Sequence, residues 1–198
     1  DGGVSSSTSL PASYYVGAIA VGGMLFNIIY WMFGFLRMGT GGETAQAWGR
    51  RDLDGVVLLL VRSLLLALVL ALVLLALSPL VRDGALWYIA PEAEVASLAR
   101  TYFNICIWGA VPALGLFAMN GWYIGMQNSR FPMIVAIGQN LLNIACSIFF
   151  VYALGMRIEG VALGTLLAQW VAFIIALLLC LRYYRRLWKR KSFRVPSF

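Results

Sequence analysis

The chain contains 198 residues, of which 62% are hydrophobic and 12% are charged, and its formal net charge is +7. With a mean hydropathy of +0.84, this composition excludes an ordinary soluble domain and indicates an integral membrane protein. The sequence lacks histidine, which excludes a histidine-ligated metal, a histidine general base and a Ser-His-Asp triad within this chain. The basic residues flank apolar runs and gather at the C-terminus, so a nucleic-acid partner is not expected.

Five apolar runs are long enough to cross a bilayer core of roughly 30 Å, which takes about 20 helical residues. Because backbone groups in lipid must be satisfied internally, each run is predicted to be a helix, and the predicted fold class is an all-α integral membrane protein. Three cysteines lie within these runs and are expected to pack as small apolar side chains without forming a disulfide. In chain order, the predicted spans are residues 16–36, 56–77, 102–125, 131–154 and 161–181.

The charges of the connecting segments predict the orientation of the spans. Arginines lie between the first and second spans (Arg37, Arg50, Arg51) and between the third and fourth (Arg130), and a basic tail follows the fifth. The positive-inside rule places these segments in the cytoplasm and the N-terminus of the chain outside. We therefore predict a multi-pass protein of a bacterial-type plasma (inner) membrane, with the tail in contact with membrane lipid.

The polar N-terminal residues 1–13 lack an initiating methionine, a basic start and an apolar core, so they do not resemble a signal peptide. An outside N-terminus without a signal peptide predicts that at least one helix precedes this sequence. The predicted organisation is a polar remnant over residues 1–13, a transmembrane bundle over 14–184, and a basic cytoplasmic tail or linker over 185–198.

Polar residues interrupt the fourth predicted span at helical spacing. Asn140, Asn143 and Ser147 recur at i, i+3 and i+7, so they project from one face of a helix, and Gln139 lies one position aside. An amide that faces lipid would stay unsatisfied, so this face is expected to point into the bundle or a wet cavity. Two roles remain open for it: a functional site, or interhelical hydrogen bonds that only hold the bundle together.

Other spans carry weaker signals. Gly160 and Gly164 form a GxxxG spacing that favours close helix packing, and Pro112 is expected to interrupt the third span. The polar or aromatic residues Asn27, Asn120 and Trp122 are candidates for a substrate-facing wall, with helix packing as the alternative role for Trp122.

Three separated segments carry a resemblance to a known family: YWMFGFLRMGTGGETAQAWGRRD (30–52), GWYIGMQNSRFPM (121–133) and NIACSIFFVYALGMRIEGVALGTLLAQW (143–170). They resemble the multidrug and toxic compound extrusion (MATE) family, in its DinF-like branch, and the similarity runs from about Tyr15 to Arg182. The resemblance implies that the five spans correspond to helices two to six of a twelve-helix transporter and form most of its N-terminal lobe. The partners would then include a missing first helix and a C-terminal lobe of the same protein.

The resemblance further implies an antiporter and not an enzyme. It would export organic cations or other amphipathic compounds by alternating access, driven by Na+ or H+ and without another cofactor. The family's cation site combines an Asp of helix one, an Asn and an Asp one turn apart on helix five, and a Thr of helix six. By motif, Asn143 and Thr165 match the Asn and Thr, and would hold a possible Na+, whereas Ser147 stands where many relatives have the second Asp.

The same resemblance places Asn140 with Asn120, Trp122 and Asn27 around a substrate cavity.

Two acidic residues are not assigned to the cation site or to the substrate cavity. Asp1 is not assigned as the helix-one acid, because its spacing to the following residues does not fit. Glu43 stands where relatives usually have an apolar residue, near the predicted cytoplasmic edge.

Two alternatives to a multidrug antiporter remain open. A lipid-linked oligosaccharide flippase shares the broader fold, and cationic residues in the cavity would favour it because they could hold pyrophosphate. A non-transporting membrane fragment, whose polar residues serve only packing, is the other.

Overall fold

The computed structural model describes residues 10–192, and the side chains of residues 10–186. This part of the chain is helical throughout, apart from short turns, and five of its helical segments are long and apolar enough to cross a membrane. The five predicted spans fall on these five segments, so the predicted fold class is confirmed. The helices are α1 (Ala12–Met32), α2 (Gly34–Gly49), α3 (Leu53–Ile89), α4 (Ala93–Cys106), α5 (Ala110–Gly125), α6 (Arg130–Ile148) and α7 (Ile158–Ser192).

The helices extend well beyond the predicted spans. Residues 37–49, expected to connect the first two spans, form most of α2, and α4 begins at Ala93 instead of residue 102. Packing explains why the glycine-rich α2 is helical: it lies against α5, where a Cβ on Gly125 would be 2.6 Å from the Gly41 carbonyl oxygen. Glycine at this contact lets the two backbones approach closely, as in other tightly packed membrane helices.

Three of the membrane-crossing segments contain an interruption of the α-helical hydrogen bonding. The first lies at Phe33, between α1 and α2, and the second is a 3₁₀ turn at Ile107–Gly109, between α4 and α5. The second interruption immediately precedes Pro112, which lacks an N–H and crowds the carbonyl group four residues earlier. The interruption expected at Pro112 is therefore present. The third is a π-helical segment, Phe149–Ala153, which continues α6.

Each of the four reversals between membrane-crossing segments contains a residue in the left-handed region. Arg51 (φ 59°) precedes α3, Ala90 (φ 44°) follows it, Gln127 (φ 59°) precedes α6, and Gly155 (φ 64°) precedes α7. A left-handed residue at the end of a helix stops the helical repeat and turns the chain back. Asp52 also caps α3, because its carboxylate accepts a hydrogen bond from the Gly55 N–H at 2.9 Å.

Helix α5 lies at the centre of the bundle and packs against α2, α3 and α7. Two of its side chains reach across to backbone groups of neighbouring helices. Trp122 Nε1 donates to the Val56 carbonyl oxygen of α3 at 2.8 Å, and the Tyr123 hydroxyl donates to the Ala176 carbonyl oxygen of α7 at 3.0 Å. Both aromatic side chains are fully buried. These bonds fix α5 against two neighbours in a setting where water cannot compete.

Some predicted features fall partly or wholly outside the described residues. Asp1 and most of the polar remnant 1–13 lie there, as do residues 193–198 of the basic tail. The first part of that tail is helical, because α7 continues through Ser192.

Candidate functional site

Three predicted site residues meet at the interface of α6 and α7. Asn143 Nδ2 donates to Thr165 Oγ1 at 3.3 Å, and the Ser147 hydroxyl donates to Asn143 Oδ1 at 3.3 Å. The Thr165 hydroxyl donates to the Val161 carbonyl oxygen one turn earlier, at 3.0 Å. We call Asn143, Ser147 and Thr165 the interhelical polar group. It joins the two helices that the sequence predicted would supply these residues.

Glycine makes this meeting possible. A Cβ on Gly164 would lie 2.5 Å from Ser147 Oγ, 2.8 Å from its backbone nitrogen and 3.0 Å from its Cα. One turn away, a Cβ on Gly160 would lie 2.9 Å from Met156 Cβ and 3.2 Å from Phe150 Cβ. The close packing predicted from the GxxxG spacing is therefore confirmed. Because Gly164 directly precedes Thr165, its contact with Ser147 brings the two halves of the polar group into hydrogen-bonding range.

The backbone beside the polar group is irregular. The π-helical segment Phe149–Ala153 begins two residues after Ser147 and is followed by the left-handed Gly155. π-helical turns frequently occur at functional sites, where they alter the register of the side chains that follow. Here the segment changes register between the polar group on α6 and the start of α7.

The interhelical polar group offers neutral oxygen atoms to a ligand. Amide and hydroxyl oxygens are the donor atoms that hard cations prefer, and intramembrane Na+ sites in transporters use such neutral oxygens. The three side chains are half-buried, so they remain partly accessible. Among the described residues no group of three or more histidine, cysteine, aspartate or glutamate side chains could hold a metal ion. The donor set therefore fits a weakly held monovalent cation better than a transition metal.

Asn140 and Gln139 do not join the polar group. Asn140 is exposed, and Gln139 is half-buried one position aside. Most of the surface of α6 is uncovered in the described part of the chain, so only the α7-facing positions of the predicted stripe reach other side chains. The expectation that the stripe points into the bundle or a wet cavity is met in the bundle by Asn143 and Ser147. Asn140 is exposed in the described part of the chain, and its assignment to a substrate cavity stays a prediction.

Trp122 does not line a substrate-facing wall, and its alternative role, helix packing, is the one that its surroundings support. Its side chain has no exposed surface, and its Nε1–H is already bonded to the Val56 carbonyl oxygen. A side chain in this position contributes to helix packing and cannot contact a ligand without the separation of α3 from α5. Asn120, two residues earlier, is half-buried, and its Oδ1 has no hydrogen-bond partner among the described residues.

Asn27 borders a cavity beside the interruption at Phe33. We call it the break cavity; its volume is about 580 Å³. Four aromatic rings and two methionines supply most of its wall, and Asn27 and Arg37 supply polar groups. Its lining residues are Asn27, Tyr30, Trp31, Met32, Gly34, Phe35, Arg37, Met38 and Phe117.

Sequence reasoning missed several members of this cavity. Tyr30 and Phe117 are ordinary apolar-run residues in the sequence, and their edge-to-face contact at 6.1 Å across α1 and α5 could not be read from it. Arg37 was interpreted only as the charge that ends the first span. Gly34, in the FGF segment that begins at Phe33, was the available signal for a break, although glycine in membrane helices is common and weakly specific.

A further polar position lies one turn beyond Thr165. Gln169 Oε1 and the Tyr30 hydroxyl are both buried, and the two side chains interact with each other. Gln169 packs against Gly109 in the 3₁₀ turn, where a Cβ would overlap its side-chain amide. The polar positions of α7 thus continue from Thr165 towards the side of the bundle that holds the break cavity.

The fold and these positions define the class: a polytopic α-helical membrane protein with polar side chains between its helices and an amphipathic cavity, as transport proteins have. The MatE family model matches residues 5–149, and the chain belongs to this family of multidrug and toxin extrusion transporters. The resemblance identified from the three segments is confirmed.

Individual relatives agree with the family. The chain is 34% identical over 171 residues to DNA damage-inducible protein F of Escherichia coli strain K12, covering 86% of this chain and 37% of that protein. It is 30% identical over 173 residues to multidrug and toxin extrusion protein 2 of Mus musculus, covering 80% and 30% of the two chains. The sequence therefore spans about a third of the length of these relatives.

Solved structures share the fold. The bundle superposes with a TM-score of 0.73 on a MOP superfamily transporter from Pyrococcus furiosus, at 26% identity, covering 81% of this chain and 35% of that one. That transporter is described as having a binding pocket of reverse polarity and a different function.

Proposed function

We propose that this chain is the N-lobe part of a cation-coupled antiporter, driven by Na+ or H+, that exports amphipathic compounds by alternating access. The observation that carries the proposal is the interhelical polar group, in which Asn143, Ser147 and Thr165 lie within hydrogen-bonding range between two membrane helices. Intramembrane polar groups of this kind mark ion and substrate pathways. Membership of an extrusion family supports the same function.

In this proposal the coupling cation binds at the polar group. Asn143 Oδ1, Ser147 Oγ and the Thr165 hydroxyl would act as neutral ligands, and a further acid would come from the helix that precedes this sequence. Ser147 supplies no charge where many relatives have an aspartate, so the described residues alone favour Na+ over a bound proton. The hydroxyl donors of Ser147 and Thr165 can rotate, so the oxygens become available when a cation replaces the hydrogen bonds.

The proposal extends to the setting of the protein. The five segments would be helices two to six of twelve, in a bacterial-type inner membrane, with the N-terminus of this chain outside and its basic end cytoplasmic. A C-terminal lobe would face the cavity across the translocation path.

Dye uptake into inverted vesicles that contain the full-length protein tests this function, because an exporter in an inverted membrane moves its substrate into the lumen. A fluorescent amphipathic dye is followed under an imposed Na+ gradient and, separately, under a proton gradient, for the natural protein and for Asn143→Ala. We expect movement driven by one gradient and lost in Asn143→Ala, because the variant removes the side chain that bonds to both partners. Gradient-driven dye uptake that is unchanged in Asn143→Ala would show that the polar group serves helix packing and not cation binding. The matched control is Ile144→Ala, which truncates an exposed neighbour on the same helix.

A further inference from the structure

The break cavity contains one charged side chain among its lining residues in the described part of the chain, Arg37. Its guanidinium is exposed, and it takes part in neither of the ion pairs that the described residues form. An arginine that borders an amphipathic cavity can bind an oxyanion, because its planar fork matches carboxylate and phosphate groups.

Glu43, the acidic residue of α2, does not neutralise this cavity. It follows Arg37 by six positions, which places the two side chains about 120° apart around the helix. Glu43 instead lines a separate cavity of about 170 Å³, together with Arg62 and Ser63 of α3. The two cavities on either side of α2 therefore differ in charge. Both an acid and an arginine line the smaller cavity, whereas Arg37 is the charged residue among the described lining residues of the break cavity.

The remainder of the break cavity suits a flat apolar body. Tyr30, Trp31, Phe35 and Phe117 contribute rings, and Met32 and Met38 contribute adaptable thioether side chains. A volume of about 580 Å³ is in the range of sites for drug-sized molecules. Three of the four rings lie on the first apolar run, and Arg37 lies at the end of that run, so this wall of the cavity is amphipathic along the chain.

We propose that the break cavity selects aromatic amphipathic compounds that carry an anionic group, with Arg37 holding that group. This inference rests on the proposed function and names its substrate class. It differs from the organic cations expected from the family resemblance, because a simple cation in this cavity would meet an unneutralised guanidinium. The ring system of the compound would lie among the aromatic side chains and its carboxylate would lie at the membrane edge, as amphipathic molecules orient in a bilayer.

Transport of two matched dyes by the full-length protein tests the proposal. Fluorescein and rhodamine 123 share a xanthene ring system of similar size, but the first is anionic and the second cationic. Gradient-driven uptake into inverted vesicles is measured for the natural protein, Arg37→Gln and Arg37→Lys. The control is Arg62→Gln, which removes an arginine from the neighbouring cavity.

We expect Arg37→Gln to raise KM for fluorescein about tenfold, which corresponds to about 1.4 kcal/mol, because the variant removes a charge-assisted hydrogen bond. KM for rhodamine 123 should stay the same or fall, and Arg37→Lys should lie between the two because lysine keeps the charge and loses the fork. Arg62→Gln should leave the ratio of the two KM values unchanged. Arg37 is exposed, so these variants are expected to fold.

An unchanged KM ratio in Arg37→Gln, with transport intact, would overturn the proposal and leave the proposed function standing. If neither gradient drives uptake of either dye by the natural protein, the proposed function and this inference are both overturned. Transfer of a lipid-linked pyrophosphate across the vesicle membrane, without movement of either dye, would also overturn both in favour of a flippase.

Discussion

Helices α5 and α6 are neighbours in the sequence and yet occupy opposite environments. In an apolar 18-residue stretch of the segment Ala93–Gly125, 72% of the residues are buried, whereas the corresponding value for Arg130–Ala153 is 6%. Both segments are apolar, so hydropathy alone does not distinguish them. Helix α5 is the packing centre of the bundle, and α6 presents an apolar surface to whatever surrounds it, while its α7-facing side carries the polar group. Within the described residues, α6 is packed mainly through its contact with α7, and the candidate site lies in that contact.

The largest expected effect is at the packing centre. Trp122→Ala should destabilise the protein by about 3–5 kcal/mol, because it removes a fully buried ring and leaves the Val56 carbonyl group without its hydrogen bond. The measurement is thermal unfolding of the full-length protein in detergent, followed by loss of the monodisperse species. On α6, Ile144→Ala should shift stability by no more than about 0.5 kcal/mol, because its side chain is exposed. Equal losses in the two variants would show that α6 is as tightly covered as α5.

An intermediate effect is expected where α6 meets α7. Gly164→Ala adds a methyl group that overlaps Ser147, and its neighbours there include backbone atoms that cannot simply rotate away. Overpacking of this kind costs about 1–3 kcal/mol. The helices should separate enough to break the Asn143–Thr165 bond, because 3.3 Å is already at the long end of the range.

The readout that distinguishes this effect from a general loss of folding is the cation dependence of transport. We expect Gly164→Ala to raise the cation concentration for half-maximal transport while KM for the dye stays near its natural value. Gly138→Ala is the matched control, since a methyl group there meets nothing within 4 Å and only increases helix propensity on α6. If both variants keep the natural cation dependence while Asn143→Ala loses it, Gly164 has no role in forming the site.

The smallest effect is expected at one end of the bundle, where Arg157, just before α7, contacts Tyr15 of α1. Arg157 Nη1 donates to the Tyr15 hydroxyl at 2.6 Å, and the guanidinium lies 5.6 Å from the centre of the Tyr15 ring. Tyr15→Phe removes the hydroxyl and keeps the ring, so unfolding should change by no more than about 1 kcal/mol. A Tyr15→Leu variant, which removes the ring as well, should lose slightly more in the same thermal assay. A larger loss for Tyr15→Phe would mean that this contact is shielded from water.

Much of the fold could be predicted from the sequence because the membrane permits few structures. Run length and hydropathy located the five membrane-crossing segments, and the GxxxG spacing predicted a close helix contact at Gly160 and Gly164 without identifying α6 as the partner. The helix ends were poorly predicted, since polar and glycine-rich residues such as Gly41 and Gly42 are helical here through packing against α5. Tertiary contact overrode local preference at those ends.

The candidate site was predicted in part. Helical spacing put Asn143 and Ser147 on one face, and the family resemblance added Thr165, and the structure brings all three together. Spacing could not decide which face of α6 meets α7, so it could not separate Asn140, which is exposed, from Asn143 and Ser147. It also could not show that Trp122 is enclosed or that Arg37 borders a cavity, because both depend on contacts between helices that are distant in the sequence.

The four reversals have a consequence for how this bundle can vary. Only one of them uses glycine, and the left-handed residues at the other three bear side chains. A left-handed non-glycine residue costs roughly 1–2 kcal/mol. Replacement by glycine would relieve that strain, but it would also raise the conformational entropy of the unfolded chain, which opposes folding. The strain is the larger of the two terms, since the entropy term is about 0.4–1 kcal/mol, so glycine at Ala90 should be tolerated and slightly more stable than alanine. The residues at the four reversals can therefore be substituted while the order and direction of the helices are retained.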